Sequence, residues 1–160
     1  MKSLPQFLVR SPSTLSWTNS GSFFQISSFG GYCDEGAVTS EARHGTTYIP
    51  PGRYNALRVR AIGKWTITVR KGVEKLGSPI TFTGSGQRAL PPFWLRGGKT
   101  MYWTNSGTVF QTYTMSPNAE GVVSSLDHQG RTHLPAGRYR VFVNATEPEQ
   151  PSGHWRIVIR

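Results

Sequence analysis

The chain has 160 residues, of which 36% are hydrophobic and 16% charged, with 18 glycines and 11 prolines. That composition excludes a mostly helical protein, which would draw on Ala, Leu, Glu and Lys, and it points to a turn-rich β protein. The formal net charge of +10, from 18 Lys and Arg against 8 Asp and Glu, favours an anionic neighbour such as nucleic acid or an acidic protein surface.

The basic residues are scattered among strands and form no tail. Cys33 is the lone cysteine, so no internal disulfide can form. Before Pro5 there is no apolar stretch of the kind a secretory signal needs, and no apolar run reaches the roughly 18 residues that span a bilayer. The expected location is a cytoplasm or a virion assembled there, with no membrane contact.

In chain order, residues 14–18 alternate, with Leu15 and Trp17 on one side and Thr14, Ser16 and Thr18 on the other, as in a strand with one buried face. Asn19-Ser20-Gly21 is turn chemistry. Residues 23–26 read as a returning strand, so a hairpin is expected. A loop holding Phe29-Gly30-Gly31-Tyr32-Cys33-Asp34 follows, then short strands at 37–40 and 46–49. Pro50-Pro51-Gly52 is a turn in which proline presets φ and glycine is permissive. A strand follows it, and residues 65–70 close the unit.

The second half repeats the scheme. Phe7 to Gln25 lies on Phe93 to Gln111 without a gap, so Trp17-Thr18-Asn19-Ser20-Gly21 reappears as Trp103-Thr104-Asn105-Ser106-Gly107. Strands are expected at 109–112, 122–125 and 132–134. Pro135-Ala136-Gly137-Arg138-Tyr139 answers Pro50-Pro51-Gly52-Arg53-Tyr54, and Trp155-Arg156-Ile157 answers Trp65-Thr66-Ile67.

A repeated unit of this kind fixes the architecture. The expected fold is all-β, two tandem antiparallel β-sandwich, jelly-roll-like repeats at residues 1–71 and 91–160. Segment 72–90 would connect them through one extra strand at 79–83. Units of roughly 70 residues are marginal alone and should pack on each other. Tyr139, Val141, Val143 and Ala145 share one inward parity. The stretch from Tyr54 to Ala61 is one residue longer than its counterpart, and one extra residue reverses all side chains beyond it unless a bulge absorbs it. A bulge near Asn55 and Ala56 is expected.

The order of Phe93, Leu95, Trp103, the turn at Pro135 to Tyr139, and the Gly153 to Ile157 strand, with Gly84-Ser85-Gly86 leading in, resembles small β-sandwich modules of actinobacterial and phage proteins. The resemblance implies a fold, with accessory, adhesive or virion-surface roles, and no active site. The first copy lacks the Gly-Ser-Gly lead-in.

Catalytic constellations are not evident. His44, His128, His133 and His154 occupy unrelated places in the two copies, and none has a metal-ligand framework around it. Cys33 with His44 has nothing to orient it as a nucleophile and base. Asp34 and Glu35 are adjacent and point apart on a strand, while Glu35 and Glu120 are equivalent positions in different copies, so no carboxylate pair flanks a bond. No catalytic residue, metal or cofactor is expected.

Binding residues are more legible. Arg10, Arg53 and Arg70 have counterparts in Arg96, Arg138 and Arg160, and guanidinium suits bidentate contact with carboxylate or phosphate. Trp94 and Tyr102 break the match with Leu8 and Ser16 and are the candidates for surface contact. Trp17, Trp65, Trp103, Trp155, Tyr54 and Tyr139 are expected in the core. The function these features suggest is a non-enzymatic structural or interaction protein attached to a larger assembly, with a phage virion part, either capsid decoration or tail accessory, as the specific expectation. Its partners would be capsid or tail proteins in an oligomer or symmetric array. The alternatives are a basic nucleic-acid-binding protein and a carbohydrate-binding module.

Overall fold

A computed structural model of the chain describes residues 1–27, 38–55, 57–114, 121–146 and 153–160. Every regular element among them is a β-strand and every strand pairing is antiparallel. An eight-stranded sheet runs in the order Lys2–Ser3, Arg58–Ala61, Phe24–Ser27, Val38–Ser40, Gln87–Ala89, Val141–Thr146, Val109–Thr114, Gly121–Ser125.

Two smaller sheets pack on it. One has three strands, His44–Ile49, Ser13–Asn19 and Trp65–Lys71; the other has four, Ile80–Ser85, His154–Ile159, Lys99–Asn105 and Gln129–Leu134. Two-stranded ribbons pair Phe7–Val9 with Gly52–Tyr54, and Phe93–Leu95 with Gly137–Tyr139.

Period-two patterning builds the cores. In the first half Leu15 and Trp17 of the three-stranded sheet meet Phe24, Ile26, Val38 and Val59 of the long sheet. In the second half Met101, Trp103 and Ile157 meet Phe110, Val143 and Ala145. The local contacts coincide. Trp17 stacks on Phe24 at 4.7 Å and Trp103 on Phe110 at 4.7 Å. Tyr54 and Tyr139 each donate their hydroxyl to the carbonyl of the proline four residues earlier, at 2.7 Å.

Trp17, Trp103 and Trp155 are buried in the core; Trp65, Tyr54 and Tyr139 are partly buried against it.

The expected hairpins do not form. Ser13–Asn19 and Phe24–Ser27 belong to different sheets, as do Lys99–Asn105 and Val109–Thr114. Asn-Ser-Gly is therefore a corner that carries the chain across the core. Asn105 holds it with Nδ2 donating to the carbonyls of Gly107 (2.8 Å) and Val109 (3.2 Å), while the Gly107 N–H donates to Oδ1 (3.0 Å). Asn105 is 5% exposed, so Asn105→Ala strands main-chain groups in the core. It is expected to lower stability by about 2–3 kcal/mol, at roughly 1 kcal/mol per hydrogen bond, measured by urea denaturation.

The bulge expected near Asn55 and Ala56 involves Ala56, which lies outside the described residues. Tyr54 ends a ribbon strand and Arg58 opens a strand of the long sheet. The extra residue thus falls between two sheets, and beyond it Leu57 and Val59 are buried like Val141 and Val143.

Segment 72–90 supplies the expected extra strand, Ile80–Ser85, and a second, Gln87–Ala89. The second pairs on one side with Val141–Thr146 and on the other with Val38–Ser40, so it joins the halves into one sheet. Around this seam Thr47 and Ala89 exchange hydrogen bonds (Ala89 N–H to Thr47 Oγ1, 3.0 Å), and Tyr48, Ala89 and Phe142 form a third small core.

Candidate interaction faces

Alternation that buries Met101, Trp103, Ile157 and Ile159 turns the intervening residues outward. On the outer face of the four-stranded sheet, Tyr102 lies between Arg131 and Val158 as its cross-strand partners, and Thr104 lies between Gln129 and Arg156. Arg131, Arg156 and Arg160 are exposed. The Arg160 guanidinium sits 4.6 Å over the Tyr102 ring, within reach of the ring's negative face. A shallow depression of about 360 Å³ is lined by Tyr102, Trp103, Thr104, Gln129, Gly130 and Arg131. Trp103 is buried and Gly130 has no side chain, so main chain forms its floor.

A second face lies on the ribbon of Phe93–Leu95 and Gly137–Tyr139. Phe93 and Leu95 point in, and Trp94 between them is 61% exposed. Arg138 is its cross-strand partner, and the Arg96 guanidinium lies 5.4 Å from the Trp94 ring. An indole held between two exposed cations offers a flat apolar surface with anion-binding groups at its edges. The corresponding ribbon of the first half has Leu8, 52% exposed, opposite Arg53, with exposed Arg10 further along.

Of the sequence-derived site residues, Trp94, Arg96 and Arg138 come together, and so do Tyr102 and Arg160. Arg10 and Arg53 stand by Leu8. Arg70 is exposed opposite Thr14, whose hydroxyl donates to the Gly72 carbonyl. Arg131 and Arg156 were missed, because the first half has Thr46 and Thr66 in their places. Their outward parity beside Tyr102 was the available signal.

Arg88, partly buried, lies at the seam between Val143 and Val38. Its Nη1 donates to the Thr83 carbonyl at 2.7 Å, and its Nε has no partner among the described residues. Burial pushes its pKa down and nearby Glu74 opposes this. Desolvation also raises the phenols of Tyr48 and Tyr139.

Cys33, Asp34, Glu35, Glu120, Glu147 and Glu149 lie outside the described residues. Among the described residues no group of three or more His, Cys, Asp or Glu could hold a metal ion. His128 faces the Asn105 carbonyl through Nδ1 at 3.1 Å, and His133 pairs with Thr100 in the sheet. No helix among the described residues is long and apolar enough to cross a membrane. Comparison of the sequence with protein-family models and with curated proteins found no match.

Proposed function

We propose that the chain acts by binding, as a structural protein that docks on a larger assembly, and that this assembly is a phage particle on which it serves as capsid decoration or tail accessory. The observation that carries the docking reading is Trp94, 61% exposed between Arg96 and Arg138. A large exposed ring next to arginine is the composition enriched at the energetic centres of protein interfaces. The net charge of +10 suits an acidic shell and steers approach to it. The assignment to a phage particle rests on the resemblance to phage β-sandwich modules.

The test is mass spectrometry of purified particles made by the genome that encodes the chain. A fixed stoichiometry to the major shell protein supports the proposal. Absence from the particles overturns it.

The outer face around Tyr102 favours a second reading, single-stranded nucleic acid, since aromatic rings among cations bind it by stacking and phosphate contact. On that reading oligonucleotide affinity falls steeply with salt, and the double substitution of Arg131 and Arg156 by alanine flattens the log–log slope by about 1–2. Equal affinity of the wild-type and doubly substituted chains at low salt eliminates it.

A further inference from the structure

The halves differ at one sheet edge. In the second half Gly86 N–H donates to Gly153 O at 3.0 Å, while Ser106 N–H donates to His154 O at 2.8 Å. With the registers of the two pairings, antiparallel alternation directs the main-chain groups of Arg156 and Val158 to Lys99–Asn105. Those of Trp155, Ile157 and Ile159 go to Ile80–Ser85.

In the first half Ser20 N–H donates to Lys64 O (2.8 Å) and Gly72 N–H to Pro12 O (2.9 Å). Thr66, Thr68 and Arg70 are thus spent on Ser13–Asn19, and the main-chain groups of Trp65, Ile67, Val69 and Lys71 face the opposite edge. Among the described residues no strand lies there. The side chains record the vacancy. Trp155, Ile157 and Ile159 are 3%, 0% and 3% exposed, whereas Trp65 and Ile67 are only partly buried and Val69 is 37% exposed. Phe82 packs on Phe93 at 5.8 Å in the second half, and the equivalent Phe7 is left half-buried.

We propose that the open edge of Trp65–Lys71 is a strand-addition site for an extended segment of a partner protein. That segment is apolar at the two positions facing Val69 and Ile67, has glycine facing Trp65, and carries acidic residues where it passes Arg70 and Lys71. The second half supplies the pattern. Ile80 faces Ile159, Phe82 faces Ile157, and Gly84 faces Trp155, where an added Cβ would lie 2.4 Å from the indole. Main-chain pairing supplies the affinity and alternate side chains the selectivity.

Charge selects the occupant. Lys64, Arg70 and Lys71 are exposed along the edge, and the Lys2 ammonium lies 5.8 Å over Trp65. A second copy of this chain paired antiparallel about Thr68 would bring its Lys71 opposite Trp65, among Lys64 and Lys2 of the first. Like charges brought together in this way oppose pairing, whereas an acidic strand meets these cations favourably. This inference stands apart from docking through Trp94, and either can fail without the other.

The connectivity provides the experiment. Lys2 pairs with Val59 as Arg88 pairs with Val143, so Met1 occupies the place of Gln87. A copy of the sequence of residues 78–86 fused before Met1 should reach the open edge. Hydrogen exchange at the Ile67 and Val69 amides is expected to be fast in the free chain and to slow by about tenfold or more with the extension, while Ile157 and Ile159 stay slow in both.

No slowing relative to an extension of scrambled sequence overturns the site. So does protection of Ile67 and Val69 in the free chain, the result a self-paired dimer gives. A free peptide of residues 78–86 carrying S78E and P79E, which face Lys71 and Arg70, should bind up to about tenfold more tightly than the unaltered peptide at low salt. Equal affinities of the two peptides overturn the acidic partner, and a peptide carrying G84V should not bind.

Discussion

Phe110→Ala is expected to lower the free energy of unfolding by about 3–5 kcal/mol. Phe110 is 0% exposed, and its ring stacks on Trp103 at 4.7 Å with an interplanar angle of 16°. The pair spans the gap between the eight-stranded and four-stranded sheets, each held by its own hydrogen-bond ladder, so neither layer can move in to refill the space. A loss of this size is a large fraction of the roughly 5–15 kcal/mol that holds a domain together. Urea denaturation should show a lower midpoint with little change in slope. Phe24→Ala, at the equivalent contact with Trp17, should behave alike, and Leu8→Ala, at a side chain 52% exposed, should change stability by no more than about 0.5 kcal/mol.

Gly130→Ala should destabilise by about 1–3 kcal/mol, the range for overpacking a close-packed site, although it adds a single methyl group. The new Cβ would lie 2.4 Å from Cζ2 and 2.8 Å from Cε2 of Trp103. The indole lies over the cross-strand glycine and cannot withdraw, because Phe110 holds its other side. The same device recurs where Trp17 covers Gly45 and Trp155 covers Gly84, with Cβ clearances of 2.5 and 2.4 Å. Gly97→Ala is the control, since nothing lies within 4 Å of its Cβ position and its φ is not positive. Its midpoint should be unchanged or slightly raised by the reduced entropy of the unfolded chain. Equal effects at Gly97 and Gly130 would remove the steric explanation.

Both results depend on features the sequence displayed openly. The parity of Leu15 with Trp17 and of Val141 with Val143 gave the buried faces, and the repeated Trp-Thr-Asn-Ser-Gly string placed the same corner twice. Less legible was which strand pairs with which. Asn-Ser-Gly states that the chain turns, and local turn chemistry is the same whether the next strand joins its neighbour or crosses to the other layer. The crossing is decided by Phe24 and Phe110 finding Trp17 and Trp103 face to face, a tertiary contact that no short window contains.

Gln87–Ala89 escaped notice for a related reason. It is short and polar, and its burial comes from strands far away in sequence on both sides. At the candidate faces, comparing the halves was both guide and blind spot. It singled out Trp94 and Tyr102, where the copies differ, and Arg96, Arg138 and Arg160, where they agree. It passed over Arg131 and Arg156, whose place beside Tyr102 follows from register alone. Lys2–Ser3 pairs with Arg58–Ala61, and among the described residues no strand pairs with the outer edge of Trp65–Lys71.

Large rings in the cores hold the sheets, and in the proposed function Trp94 and its arginines engage a partner surface. Under the proposed virion role, the most direct test is rebinding of the purified chain to phage particles stripped of it. Trp94→Ala is expected to weaken rebinding by at least about tenfold, the effect of truncating an interface hot spot, with the unfolding midpoint unchanged and the remaining affinity falling as salt rises. Rebinding of Trp94→Ala at wild-type affinity would contradict the account.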